Sequence, residues 1–187
     1  MVRLQDTYDI ELEWHGFELH PETPQGGVAV SQFFPGAEVD HIREHLQGFA
    51  RQFGIEGMQV SGHVPNTRRA LAVTELARDQ GRLHPFREAA MDAFWREGRD
   101  IESNETLADL ARAVGLDPDE AVRAADSREM LDRIDQLREQ AHARGVHAIP
   151  AFYFEGLPMP VVGCQPYERL ALVAERVGAV RRSADSR

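Results

Sequence analysis

The chain has 187 residues, a formal net charge of −10 and one cysteine. This length suits a single domain, or a small domain that carries an insertion, and the 42% hydrophobic content can supply a packed core. The acidic balance argues against a nucleic-acid-binding surface, which needs a basic face. The single cysteine excludes a disulfide within the chain and a C-x-x-C pair.

The first residues, MVRLQDTYDIELEW, contain neither the apolar stretch nor the small-residue cleavage site of a secretory signal. No segment of the sequence reaches the length of apolar residues that a transmembrane helix needs. We therefore expect a cytoplasmic protein.

The N-terminal part of the chain predicts a strand, a loop and a helix in that order. Residues 9–16 alternate between apolar and polar side chains, which is typical of a strand with one buried face. Residues 17–36 are rich in Pro and Gly and predict a long surface loop. Residues 37–53 predict a helix with these apolar residues on one face: Val39, Ile42, Leu46, Phe49 and Phe53.

The middle of the chain predicts a series of helices. One runs from residue 67 to Gln80, and the next begins near Pro85. Ser103 or Asn104 caps a third, and Asp117 caps a long helix that ends at Gly145. The residues expected to be buried are Ala70, Val73, Leu76, Ala77, Phe86, Ala90, Ala93, Phe94, Leu107, Leu110, Ala111, Val114, Met130, Ile134, Leu137 and Ala141.

The C-terminal part returns to strands. Residues 151–154 and 159–162 predict two strands joined by a hairpin turn, and residues 163–166 lead into a last helix. Its buried residues are expected to be Leu170, Val173, Ala174 and Val177, and the tail from Arg181 onward is polar. Strands at both ends of a helical block indicate one sheet that distant segments complete, with residues 9–16 beside the strand after Pro150.

Two histidines on the helix over 37–53 fit a metalloprotease pattern. His41, Glu44 and His45 form an H-x-x-E-H sequence, in which both histidines could reach one metal ion. The pattern is short. The apolar residues of the same helix lie on a different face, so these histidines are expected to face solvent. We expect no metal site.

Four phrases, in this order, resemble the DsbA-like thioredoxin-fold proteins, and the FrnE-type branch in particular: EWHGFELHP, PNTRRA, GVHAIPAF and GCQPY. That branch is similar to the 2-hydroxychromene-2-carboxylate isomerases. The resemblance implies an α/β thioredoxin-like fold with an inserted all-helical subdomain. Residues 1–36 and 145–180 would form the thioredoxin-like sheet and last helix, and residues 37–144 the mainly helical insertion.

The chain departs from this family at its N-terminus. Family members begin with a strand, a turn that carries C-x-x-C, or a serine in the isomerases, and a first helix, roughly 25–30 residues in all. Here Val2 to Gln5 correspond to the end of that helix, so no residue matches the nucleophilic cysteine. Either the start was assigned too late or the protein is a natural remnant. An exposed sheet edge in the remnant would favour a homodimer.

The resemblance implies site residues near Pro150. A cis Ile149–Pro150 bond would leave the backbone of Ile149 free to pair with an extended peptide or with glutathione. We interpret Ile149, Pro150 and His147 as substrate-binding residues. Further candidates for the cleft are His15, Asn66 and Thr67, although helix capping is the simpler role for Asn66 and Thr67.

Cys164 is the one candidate for a reactive thiol. It precedes the last helix, and a helix N-terminus favours the thiolate form of a cysteine. The simpler interpretation is a half-buried apolar side chain.

The resemblance implies a thiol–disulfide oxidoreductase that docks an extended peptide or a small thiol at the Pro150 loop. Without C-x-x-C, this polypeptide is expected to be inactive in dithiol exchange. Two alternatives remain open: a glutathione-dependent isomerase or transferase, in which glutathione supplies the sulfur, and a non-catalytic peptide-binding module. No cofactor is expected, and glutathione would act as a substrate.

Overall fold

Short strands lie on both sides of a run of five consecutive helices in the computed structural model, which describes residues 2–33, 35, 36 and 38–182. The helices are α1 (Val2–Thr7), α2 (Val39–Arg51), α3 (Arg68–Asp79), α4 (Leu83–Trp95), α5 (Asn104–Ala113), α6 (Pro118–Ala125), α7 (Arg128–Ala143) and α8 (Tyr167–Arg176). The strands are β1 (Tyr8–Asp9), β2 (Val28–Ala29), β3 (His63–Val64), β4 (Ala151–Phe152), β5 (Val161–Val162) and β6 (Val180–Arg181). None of the helices in the described residues is long and apolar enough to cross a membrane.

The strands form three separate antiparallel pairs within the described residues. β1 pairs with β6, β2 with β3, and β4 with β5. The first pair joins the most distant segments, because Tyr8 lies opposite Arg181.

The chain divides into two compact units. Unit 1 contains residues 1–19 and 136–187, and unit 2 contains residues 20–135. One boundary therefore falls inside α7, between Asp135 and Gln136.

Unit 2 is built on a helical core. The residues that the spacing of α3 predicts to be inward are all buried, namely Ala70, Val73, Leu76 and Ala77. They pack with residues of α4, α5 and α6, where the side chains of Phe86 and Leu107 are fully buried. Apolar residues at intervals of three and four lie on one face of a helix, so the helical pattern in the sequence locates this core directly.

Capping side chains start two of these helices at the expected places. The hydroxyl of Ser103 accepts a hydrogen bond from the amide of Thr106, so Ser103 is the cap of α5, and Asn104 is its first helical residue. The carboxylate of Asp117 accepts from the amides of Asp119 and Glu120 at the start of α6. Both contacts satisfy amides that have no partner inside the helix.

The prediction of one long helix up to Gly145 is wrong. α6 ends at Ala125, and α7 begins at Arg128, so the helix is interrupted at Asp126 and Ser127. The hydroxyl of Ser127 accepts a hydrogen bond from the amide of Met130 at 3.2 Å and so starts the second helix. A short polar side chain competes with the helical backbone for such amides, which explains the break.

Unit 1 has a smaller core, made of Leu4, Tyr8, Leu170, Ala171 and Ala174. The predicted residues Val173 and Val177 are only half-buried. Polar contacts supplement this core, because the hydroxyl of Tyr8 donates to Glu175 Oε1 at 2.7 Å. This bond and the guanidinium of Arg181 lower the pKa of the Glu175 carboxyl.

The predicted strand over residues 9–16 is wrong beyond Asp9. From Ile10 onward the segment has no strand partner in the described part of the chain, and β4 pairs with β5 instead. The expected single sheet is therefore not formed, although Ile10 packs on the same apolar cluster as Phe152. Residues 11–16 still alternate between exposed and half-buried, because alternation specifies which face a side chain takes and not which strand it pairs with.

Other boundaries differ in smaller ways. The predicted loop over 17–36 contains β2 and a 3-10 turn at Val30–Gln32, and both C-terminal strands are two residues long. Of the predicted apolar face of α2, Ile42 is buried, whereas Phe49 and Phe53 are exposed. Arg181 belongs to β6, and residues 37 and 183–187 lie outside the described part of the chain.

Candidate functional site

The segment between α7 and β4 forms a tight reversal that we call the cis-proline loop, residues 146–150. The peptide bond between Ile149 and Pro150 is cis. At its start, the amide of Val146 donates to the carbonyl of Ala141 at 2.9 Å. At its end, the amide of Gly163 donates to the carbonyl of Pro150 at 2.7 Å. These two bonds anchor the loop to the C-terminus of α7 and to the chain that follows β5.

Gly145 allows the chain to leave α7 in this direction. Its φ of +81° lies in the left-handed region, which side chains disfavour. A Cβ atom added to Gly145 would lie 2.9 Å from Cε of Met159. The backbone angle therefore favours glycine at the entrance to the loop, and the end of the Met159 side chain would have to shift to admit a Cβ atom.

The backbone of Ile149 is available for a ligand. Neither its amide nor its carbonyl has a hydrogen-bond partner among the residues that the structure describes. Residue Ile149 is 48% exposed, and three apolar side chains of the β4–β5 hairpin are exposed as well: Tyr153, Met159 and Val162. A free backbone edge and exposed apolar side chains are what an extended peptide chain needs for pairing.

Two histidines meet at the loop. Nδ1 of His142, in the last turn of α7, lies 3.0 Å from the carbonyl oxygen of Val146 and 3.2 Å from Nδ1 of His147. The ring of Phe17 contacts the His142 ring edge-on, with 5.5 Å between the ring centroids. The sequence analysis placed His147 in the site and did not single out His142.

Charged side chains surround the same end of α7. The buried carboxylate of Glu18 accepts a hydrogen bond from Arg138 at 2.7 Å. This contact fixes the extended N-terminal segment against α7. The guanidinium of Arg144 lies over the ring of Tyr153, 5.4 Å from its centroid, and places a positive charge beside the hairpin.

Comparison with known proteins identifies the family of this fold. A model of the DsbA-like thioredoxin domain matches residues 1–174. The chain belongs to the DsbA-like thioredoxin family. Its fold is accordingly an α/β thioredoxin-like fold with a helical insertion, and the resemblance drawn from the four sequence phrases is confirmed.

Individual relatives of this DsbA-like protein cover most of its length. The uncharacterized protein YwbO of Bacillus subtilis is 26% identical over 164 residues, which are 81% of this chain and 76% of YwbO. A probable DsbA oxidoreductase from Streptomyces coelicolor superposes with a TM-score of 0.76 at 20% identity, covering 87% of this chain and 73% of that one. A 2-hydroxychromene-2-carboxylate isomerase superposes with a TM-score of 0.67 at 18% identity, covering 94% of this chain and 83% of that one. At these identities the structures establish a shared fold.

The other candidate residues of the cleft have local partners. Nε2 of His15 lies 3.3 Å from a carboxylate oxygen of Glu13 on the exposed side of the N-terminal segment. Asn66 and Thr67 belong to unit 2, whereas the cis-proline loop belongs to unit 1. Their assignment to the cleft stays a prediction.

Asn66 is held by hydrogen bonds within unit 2. Its Oδ1 accepts from the amide of Arg68 at 2.9 Å, its Nδ2 donates to the carbonyl of Thr23 at 2.6 Å, and its amide donates to Glu102 Oε1 at 2.8 Å. The side chain of Thr67 makes no capping bond. The start of α3 therefore uses Asn66 for capping and not Thr67.

Glu102 is a residue that the sequence analysis missed. Its buried carboxylate accepts from the amide of Asn66 on one oxygen and from the amide of Gly26 at 2.8 Å on the other. It thereby ties two loops of unit 2 together. A single glutamate in a polar stretch carries no pattern that would reveal this role.

Cys164 is exposed, so its interpretation as a half-buried apolar side chain is wrong. It lies in the turn before α8, where the side-chain amide of Gln165 donates to the carbonyl of Val162 and leaves the thiol outside the packed core. A reactive role for this thiol stays a prediction.

His41, Glu44 and His45 are exposed on α2. In the parts of the chain that the structure describes, no group of three or more His, Cys, Asp or Glu side chains is placed to hold a metal ion. The H-x-x-E-H sequence thus lies on a solvated helix face.

Proposed function

We propose that this DsbA-like protein docks an extended peptide or a small thiol against the cis-proline loop. The observation that carries the proposal is the exposed backbone of Ile149, whose amide and carbonyl lack partners among the described residues. The amide can donate to a carbonyl of the ligand, and the carbonyl can accept from an amide of the ligand. This pairing adds the ligand as a strand beside the loop.

The side chains near Ile149 indicate what this ligand would be. Tyr153, Met159 and Val162 are exposed and apolar, so they favour a ligand with an apolar side chain next to the paired backbone. Backbone pairing itself is independent of sequence, because it uses only amides and carbonyls. We therefore expect broad acceptance of peptides with a preference for apolar residues.

The docking step can be followed by NMR. Titration with an apolar hexapeptide should shift the amide resonance of Ile149 more than amides of α8. Ile149→Asp should weaken binding about tenfold, because it puts a charge beside the apolar ligand. Leu172→Asp changes another exposed apolar residue, on α8, and serves as the control. If both variants bind like the wild type, ligand docking at the loop is refuted.

Glutathione is the second probe in the same titration. It shares a peptide backbone with the hexapeptide but lacks its apolar side chains. Binding of glutathione alone, with shifts at Ile149, would favour the isomerase or transferase alternative over peptide docking. Shifts caused by the hexapeptide and not by glutathione would support the peptide as the ligand.

Dithiol exchange needs two cysteines that act one after the other: the first attacks the disulfide of the substrate, and the second resolves the mixed disulfide that forms. This 187-residue chain has one, Cys164. We therefore expect that the purified polypeptide reduces insulin with dithiothreitol no faster than dithiothreitol alone. Turnover clearly above that background would contradict this expectation of inactivity, and its loss in Cys164→Ser would assign the activity to this thiol.

A further inference from the structure

The β4–β5 hairpin has two faces of different character. Phe152, Phe154 and Val161 pack on the core of unit 1. Successive side chains of a strand point to opposite faces, so Val162 points away from this core. Tyr153, between the two packed phenylalanines, is exposed, as is Val162. The outer face of the hairpin is therefore an apolar surface that continues from the cis-proline loop.

One cation borders this outer face. Arg144 directly follows α7 and is exposed, and its guanidinium lies over the ring of Tyr153, 5.4 Å from the ring centroid. The next residue, Gly145, lies against the end of the Met159 side chain, which belongs to the same hairpin. The end of α7 thus holds a positive charge at the edge of the apolar surface.

The charge of Arg144 has no internal counter-ion. Among the residues that the structure describes, no carboxylate lies within ion-pair distance of its guanidinium. Arg138, one turn and a half earlier on the same helix, differs in this respect, because it is paired with the buried carboxylate of Glu18. The ring of Tyr153 attracts the guanidinium through its negative face but does not neutralise it. A full positive charge therefore remains for a ligand.

We propose that Arg144 is a specificity-determining residue, which selects a carboxylate side chain beside the apolar residue of the docked peptide. The inference rests on the proposed docking function and narrows its ligand from apolar peptides in general to acidic–apolar ones. A carboxylate offers two acceptor oxygens that match the N–H groups of a guanidinium. A basic residue at the same place of the peptide is repelled. Charges at the edge of an interface contribute mainly to such discrimination between ligands.

Hexapeptides that differ at one position test this selection by NMR titration: the apolar hexapeptide, and versions with a glutamate or a lysine beside its central residue. The glutamate peptide should bind the wild type about threefold more tightly than the apolar one, as expected for an exposed ion pair, and the lysine peptide about threefold more weakly. In Arg144→Glu this order should reverse, and in Arg144→Gln the peptides should bind alike. Arg169→Glu changes an exposed arginine of α8 in the same unit and should keep the wild-type order. Equal affinities in the wild type, or an unchanged order in Arg144→Glu, would refute the selection.

The dependence on salt checks that charge is the cause. At about 1 M salt the Debye length falls to about 3 Å, so the preference of the wild type for the glutamate peptide should largely disappear. A preference that persists undiminished would assign the discrimination to packing on Tyr153 and refute recognition of the carboxylate by Arg144.

The positions of the NMR shifts separate this selection from the docking function. Shifts at Ile149 with every peptide, without an order among the affinities, would leave docking standing and refute the selection. Shifts at Arg144 and Tyr153 with the glutamate peptide alone, and none at Ile149, would refute docking at the loop and support the carboxylate site. Absence of binding by every peptide would refute both. Glutathione also carries carboxylates, and if Arg144→Glu weakens its binding but leaves the peptides unaffected, the acidic peptide is refuted as the ligand.

Discussion

The two units of the chain are held together in different ways. In the described residues, the main core of unit 2 has fourteen buried residues, and that of unit 1 has five. Both units also have polar contacts between distant segments: Tyr8 with Glu175 in unit 1, and Gly26 with Glu102 in unit 2. Unit 2 draws its core from consecutive helices. The difference in core size indicates that apolar burial contributes more to the stability of unit 2 than to that of unit 1.

This difference matters for function, because the candidate site lies in unit 1. A binding loop benefits from a local structure that opens at low cost, and a small core leaves such freedom. The single tryptophans of the two units, Trp14 in unit 1 and Trp95 in unit 2, make the comparison measurable by fluorescence. Four substitutions test it, in order of decreasing expected effect.

Phe86→Ala should have the largest effect. Phe86 is fully buried in the core of unit 2, and loss of a buried phenylalanine costs about 3–5 kcal/mol of unfolding free energy. Urea unfolding followed by Trp95 fluorescence measures the loss. Met91→Ala on the same helix is the control, because Met91 is 56% exposed and should cost little. A loss below about 1 kcal/mol for Phe86→Ala would mean that this core contributes far less than its burial implies.

Gly145→Ala should have the next largest effect, in unit 1. The left-handed backbone costs an alanine about 1–2 kcal/mol, and the new Cβ would also press against Met159. The Met159→Ala background removes the contact but leaves the backbone angle, so the loss should be smaller there. Equal losses in both backgrounds would show that Met159 moves aside freely. Trp14 fluorescence during urea unfolding is the measurement.

Ser103→Ala should cost about 1 kcal/mol, because it removes the cap of α5. Ser103→Asp keeps an acceptor at this position and should regain most of the stability. The same urea experiment with Trp95 fluorescence applies. If alanine and aspartate are equivalent, the hydrogen bond to the amide of Thr106 does not stabilise unit 2.

Tyr8→Phe should have the smallest effect at neutral pH, because Arg181 still pairs with Glu175. The hydroxyl of Tyr8 lowers the pKa of Glu175 in the folded protein. A lowered folded pKa gives stability that is full above the ordinary value of about 4.3 and is lost as the pH falls through the folded value. The wild type should therefore lose more stability than Tyr8→Phe between pH 5 and pH 3. Parallel urea midpoints of the two proteins across this range would contradict this linkage.

Local signals in the sequence predict unit 2 well. The caps at Ser103 and Asp117 and the buried face of α3 depend only on residues within one or two turns. Ser127 is a similar local signal, because it is a short polar residue directly before a helix. The apolar residues continue at helical spacing on both sides of it, so the sequence pattern predicted one uninterrupted helix. Where the deciding contact is local, the pattern is sufficient.

Unit 1 could not be predicted in the same way, because its deciding contacts are distant. The alternation over residues 9–16 indicates an extended segment but does not indicate which segment pairs with it. The partner strand of β1 is β6, and the polar sequence of the C-terminal tail gave no sign of a strand there. At the site, the family resemblance led to Pro150 and His147. The contact with His142 depends on the chain reversing at Gly145, which returns residue 147 to the helix end.

The pairing of Tyr8 with Arg181 also bears on how the chain folds as the ribosome makes it. All of unit 2 is synthesised before the partner strand of Tyr8 exists. The helices of unit 2 can therefore assemble while Tyr8 is still unpaired. Closing this long chain loop is then left until late in synthesis. Unit 1, which contains the segment that would receive a ligand, is therefore completed after unit 2.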